Sequence, residues 1–213
     1  MFKKRTFKEG YFYHICNKSI ANYGIFTNDS NKERFLTCLD YYNSTNYDTS
    51  LSVFLRKNVF SPILLREDKN QVVKILAYCI MDDHYHLLIK TLLNNRLSKY
   101  INDVENSYTR FFNTKLERKG PLWQSNFRII HIKTSEQLLH VSRYTHLNPV
   151  TKYLVDRPED WVYSSYKFYL NKQVLNNYLK EISINNPTSY KKFVEDNIDY
   201  QRKLKLIKKL ILE

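Results

Sequence analysis

Residues 72–80, VVKILAYCI, form a nearly unbroken apolar run that constrains the fold more than any other stretch of the chain. A strand with one wet face alternates polar and apolar side chains. This one does not, so it reads as a strand buried on both faces of a sheet. Asp82 and Asp83 follow, and then HYHLLIKT (84–91) reads as a second strand. The acidic pair between them predicts a tight hairpin, without the glycine that such turns commonly use.

The remaining elements are placed around that hairpin. GYFYHIC (10–16) is a short aromatic and β-branched run and reads as a first strand. In 28–43, Asp29 is the expected N-cap, with Phe35, Leu36, Leu39 and Tyr42 at helical intervals. Residues 48–68 are ambiguous and are broken by Pro62. A long helix is expected over 97–120, with Leu97, Ile101, Val104, Tyr108, Phe111 and Leu116 on one stripe and Gly120 as its stop. Residues 121–133 look extended. A further helix follows over 134–150, opened by a Thr134–Gln137 capping box and closed by Pro149.

The net charge of +13 favours a polyanionic partner, because basic groups release counterions condensed on nucleic acid. Eighteen tyrosines among the basic residues suit single-stranded nucleic acid, where bases stack on rings. The three cysteines, Cys16, Cys38 and Cys79, form no C-x-x-C pair and read as free thiols in a reducing compartment. The basic start lacks the apolar stretch of a secretory signal, and no apolar run is long enough to span a bilayer. A soluble cytoplasmic protein is expected. Residues 171–213 hold nine Lys/Arg against five Asp/Glu and end in YQRKLKLIKKLILE, a basic amphipathic helix. They read as an extension of a domain spanning 1–170.

The chemistry concentrates at His84 and His86. Successive strand residues point to opposite faces, so these two share one face about 7 Å apart and can converge on a metal ion. In the helix over 134–150, Tyr144 and Asn148 are i and i+4 and share a face. Asn148 offers an amide oxygen to a hard cation. A phenol is a poor nucleophile at neutral pH, but beside a cation that polarises a phosphodiester it becomes an effective one. Tyr108 is the competing tyrosine, and its apolar stripe reads as core. His14, His131, His140 and His146 are read as structural.

Four motifs together resemble a known family. MDDHYHLLIK (81–90) resembles the HUH motif of single-tyrosine nucleases. RYTHLNPV (143–150) resembles the corresponding helix of the REP-associated tyrosine transposases, a branch of the small insertion-sequence transposases. SYTRFFNTKLERKGPLWQSNFR (107–128) and WVYSSYKFY (161–169) resemble two further stretches of that family, in the same order. The resemblance covers roughly residues 10–170. It implies a ferredoxin-like α+β fold, a central antiparallel sheet with helices on one side. It also implies Mg²⁺- or Mn²⁺-dependent cutting and rejoining of single-stranded DNA beside a hairpin, through a 5′-phosphotyrosine. Matched by position, Tyr144 is the nucleophile and His84, His86 and Asn148 are the metal ligands. The chain departs from the family at Tyr85, usually aliphatic, at Asp82-Asp83, usually Pro-Asn, and at Ser125-Asn126, usually Gly-Arg. It also lacks the usual arginine after His14.

Arg110, Trp123, Phe127, Arg128, Lys133 and Arg143 are candidate DNA contacts. A monomer is favoured over a dimer with shared active sites. Two other readings stay open: a module that binds hairpin DNA or RNA without cutting it, and a replication-initiator or relaxase HUH nuclease.

Overall fold

The computed structural model describes residues 6–65, 68–171, 181–184 and 186–204. Its centre is a four-stranded antiparallel sheet, β1 (Phe12–Lys18), β2 (Val73–Ile80), β3 (His84–Thr91) and β4 (Arg128–Ile132), in the order β2-β3-β1-β4. The β2–β3 hairpin forms where the sequence predicts it, closed by the Met81 N–H donating to the His84 carbonyl at 2.8 Å. Of the residues expected to be extended over 121–133, Arg128–Ile132 form the regular strand β4, and Trp123 adds an isolated bridge to Ser19.

Helices cover both faces of the sheet. On one face lie α1 (Asp29–Tyr41) and α3 (Leu97–Lys115), packing Phe35, Leu39, Val104 and Tyr108 against Tyr13, Ile15, Tyr85 and Leu87. On the other lies α4 (Ser135–Thr151), packing Leu138, Leu147 and Val150 against Leu76, Ala77 and Leu88. The single helical layer implied by the family resemblance is therefore replaced by two. The physical reason is the run at 72–80: a strand apolar on both sides needs cover on both sides. A β-bulge between Ile75 and Ala77 adds to this, because Leu76 and Ala77 both enter the α4-side core while Ile75 and Tyr78 face α1 and α3.

Among the described residues of 48–68, one helical turn forms, α2 (Leu51–Phe54), before an irregular stretch that includes Pro62. The cap of α1 is Asn28 rather than Asp29. The Asn28 side chain accepts from the Asn31 N–H at 2.9 Å, and Asp29 sits in the first turn, where its charge suits the helix dipole. Helix α3 ends at Lys115, before Gly120, with Glu117 taking a left-handed φ of 50°. Thr134 caps α4 by accepting from the Gln137 N–H at 3.1 Å, while Gln137 accepts from the Lys133 N–H at 2.9 Å. Pro149 does not end this helix, which runs to Thr151.

After α4 come a short helix α5 (Tyr166–Tyr169) and α6 (Pro187–Glu195). Tyr190 and Val194 of α6 are buried in the same apolar cluster as Leu138 and Leu147 of α4. Most of the basic stretch at 200–213 lies outside the described residues. Among the described residues, no helix is long and apolar enough to cross a membrane.

Glu105 is a buried carboxyl on α3. It accepts from Asn17 Nδ2 at 2.8 Å and from the Tyr85 hydroxyl at 2.7 Å. The tyrosine that departs from the family's HUH pattern therefore has a partner across the core. Burial raises the Glu105 carboxyl to about 7, against the opposing pull of those two donors. The folded chain thus keeps a proton that the unfolded chain loses above about 4.5. Its contribution to stability is full below that value and is lost as pH rises towards 7. The size is on the order of 3 kcal/mol. Urea denaturation from pH 5 to 8 is expected to show this decline in the native chain and a flatter profile in Glu105→Gln.

Candidate active site

Strand register brings the site together. His84 pairs with Lys18, His86 with Cys16, and Leu88 with His14, so all six side chains share the face under α4. Helix α4 crosses that face with Tyr144 and Asn148, four residues apart on one side, and Lys152 follows four residues later as its C-cap. The result is a cavity of about 330 Å³ whose lining includes His84, His86, Tyr144, Asn148, Arg128 and Lys152. All four residues matched to the catalytic set thus meet in one place.

The two imidazoles lie 5.0 Å apart between ring centroids, at 87° to each other. Burial lowers the His84 pKa, with the Asp83 hydrogen bond opposing it, so the ring favours the neutral form that a metal needs. His84 Nδ1 is hydrogen-bonded to Asp83 Oδ1. A carboxylate on Nδ1 fixes the proton there and turns Nε2 into the ligating atom. Burial would raise the Asp83 carboxyl, but the His84 bond and the charges of Lys152 and Lys18 outweigh it and hold it well below the usual carboxylate range. Lys18 Nζ stands 3.3 Å from Asp83 Oδ2, and Lys152 Nζ stands 3.4 Å from Oδ1. The Asp82-Asp83 turn therefore does more than add charge, since Asp83 orients the first histidine.

Tyr144 is 45% exposed at the cavity, with its ring edge-on to His86 at 5.4 Å. Burial raises its phenol, and a hydrogen bond from Asn148 acts in the opposite direction. Asn148 Nδ2 donates to the Tyr144 carbonyl at 3.0 Å, leaving Oδ1 as its ligating atom. Two imidazole nitrogens and one amide oxygen are a donor set that fits a divalent cation. A second donor set overlaps it: ligand atoms of His14, Cys16 and His86 lie within 4.8 Å of one another and could also hold a metal.

The candidate DNA contacts scatter. Arg128 lines the cavity. Arg110 is exposed in a different groove, with Arg56, Phe111 and Lys115. Lys133 is exposed beside the start of α4. Trp123 packs against Phe26, Phe35 and Tyr85 and donates from Nε1 to Thr109 Oγ1 at 3.0 Å. Phe127 is buried in the same core. Arg143 is buried, with its guanidinium 4.3 Å over Phe193 and Nη2 2.8 Å from His140 Nδ1. Trp123, Phe127 and Arg143 thus spend their side chains on packing.

Of the histidines read as structural, His146 is fully buried and holds Tyr190 and Ser165 at 2.7 Å each. His131 lies parallel to Tyr11 at 4.9 Å. His14 is different, because its Nε2 lies 3.1 Å from His86 Nδ1 inside the site. Sequence reading also passed over Lys18 and Lys152. Lys152 was legible as the next i+4 step after Tyr144 and Asn148, whereas Lys18 depends on strand register.

Residues 56–148 match the family described as "Transposase IS200 like". No curated protein matches the chain. Among solved structures, a REP-associated tyrosine transposase bound to a REP hairpin is similar at a TM-score of 0.56 and 15% identity, covering 82% of this chain and 87% of that one. A candidate transposase from Deinococcus radiodurans R1 gives 0.39 at 12% identity, covering 68% and 95%. A tRNA(His) guanylyltransferase from Saccharomyces cerevisiae gives 0.39 at 8%, covering 92% and 81%. The last two likenesses are too loose to bear on this chain. Residues 56–148 are thus similar to the IS200-like transposases, within a chain whose fold resembles that of a REP-associated tyrosine transposase.

Proposed function

We propose that the protein is a metal-dependent transposase that cuts and rejoins single-stranded DNA beside a hairpin, through a phosphotyrosine. The observation that carries this is the convergence of Tyr144, His84, His86 and Asn148 on one cavity, with Lys18, Arg128 and Lys152 around it. A module that only binds DNA has no use for that set.

In this reading His84, His86 and Asn148 would hold Mg²⁺ or Mn²⁺. When bound, the cation supplies positive charge that polarises the scissile phosphodiester. Arg128 and Lys152 hold the phosphate oxygens by charge. The Tyr144 oxygen attacks phosphorus, forming one P–O bond while the bond to the 3′-oxygen breaks. The phenol gives up a proton and the departing 3′-oxygen takes one, leaving a 5′-phosphotyrosine and a 3′-hydroxyl. That ester conserves the energy of the broken bond, so another 3′-hydroxyl can rejoin the strand by the reverse chemistry. The hairpin preference is carried over from the similar REP-associated transposase, which is bound to a REP hairpin.

Incubation with end-labelled hairpin oligonucleotides and Mn²⁺, followed by a denaturing gel, tests the reading. A labelled protein band that EDTA abolishes is expected. No band across a broad hairpin pool, together with retained gel-shift binding, would favour the non-catalytic binder instead.

A further inference from the structure

We infer that His14 is a positioning residue for the site: it accepts a hydrogen bond from His86 Nδ1–H and so presents His86 Nε2 to the metal. This rests on the metal-dependent reading of the cavity. His14 lies on β1 opposite Leu88, diagonal to His86. The two rings are within 9° of a common orientation, their centroids are 5.2 Å apart, and His14 Nε2 to His86 Nδ1 is 3.1 Å. That centroid separation is close to one hydrogen bond plus two ring radii, so the nitrogens face each other nearly head-on.

Head-on nitrogens share a proton. Two nitrogens bound to a common cation would instead aim their lone pairs at a third point between them. One imidazole must therefore donate and the other accept. If His86 is to ligate through Nε2, its proton sits on Nδ1 and His14 Nε2 accepts, with the His14 proton on Nδ1. His14 then does for His86 what Asp83 does for His84, with an imidazole in place of a carboxylate. Its ring also meets the edge of the Tyr144 ring at 5.9 Å, so the same side chain borders both ligand and nucleophile.

The test uses the full chain labelled with ¹⁵N-histidine, without metal, at neutral pH. Long-range ¹H–¹⁵N correlation is expected to show His86 as the Nδ1–H tautomer. His14→Leu is expected to shift that tautomer balance. His14→Gln, whose Oε1 can take the acceptor's place, is expected to keep it and guards against a simple loss of folding. Calorimetric Mn²⁺ titration is expected to weaken roughly 10- to 100-fold in His14→Leu and to recover in His14→Gln. A native His86 with its proton on Nε2 would overturn the proposal, as would unchanged Mn²⁺ affinity in His14→Leu. An equal loss of affinity in Cys16→Ser and His14→Leu would also overturn it, by making both residues ligands. If the native chain binds no Mn²⁺ yet shows the Nδ1–H tautomer, the metal-dependent reading fails while the His14–His86 bond stands.

Discussion

Tyr144→Phe is expected to lower phosphotyrosine formation by at least about a thousandfold, while Tyr108→Phe leaves it near the native level. Both tyrosines sit on helices, and in the sequence only Tyr144 has a candidate ligand amide, Asn148, one turn away. The structure separates them by environment. Tyr144 stands at the cavity beside His86, whereas Tyr108 is fully buried and donates its hydroxyl to the Ile25 carbonyl at 2.7 Å. Stability is therefore expected to move the other way. Losing the Tyr108 hydroxyl leaves a buried carbonyl without that donor and costs about 1–2 kcal/mol. Losing the half-exposed Tyr144 hydroxyl costs within about 0.5 kcal/mol. Adduct yield on a denaturing gel and urea midpoints of the two variants check both halves. An adduct that survives Tyr144→Phe would remove Tyr144 from the chemistry.

The second large effect is at His146. It lies two residues from Tyr144, yet it points into the opposite side of α4. Its Nδ1 and Nε2 meet the Tyr190 hydroxyl and Ser165 Oγ, and its ring packs edge-on against Tyr169 at 4.8 Å. This one side chain ties α4 to α5 and α6. His146→Ala would open a cavity and break both bonds, a loss of about 3–5 kcal/mol, or a Tm fall of ~10 °C for a chain of this size. Adduct formation per folded molecule, measured in the cold, is expected to stay near native.

The same residue makes an acid prediction. Burial lowers His146 to about 3 and His14 to about 4. The unfolded chain therefore binds protons that the folded chain refuses once pH falls below about 6.5. The stabilising contribution is full above that value and declines by about 1.4 kcal/mol per pH unit for each group as pH falls. The His146→Ala variant is expected to lose one share of that slope in urea titrations from pH 7 to 4. An unchanged slope would mean that His146 is accessible to protons in the folded chain.

Much of the site was written locally. Strand alternation puts His84 and His86 on one face whatever the rest of the chain does, and helical spacing does the same for Tyr144 and Asn148. The capping chemistry at Thr134 and Gln137 likewise depends on residues within reach of each other. Even the cover on both sheet faces was implied by the run at 72–80, against the one-sided arrangement implied by the resemblance. What the sequence could not settle were contacts set by register and packing. His14 meets His86 across seventy-two positions because β1 pairs with β3 in one register, and a two-residue slip would part them. Trp123, Phe127 and Arg143 read as possible DNA contacts because basic and aromatic side chains serve surfaces and cores equally well. Their place was decided by which neighbours offered a partner: Thr109 for Trp123, the α1–α3 core for Phe127, and Phe193 for Arg143. Local geometry fixes which way a side chain points, and the tertiary fold alone fixes what it meets.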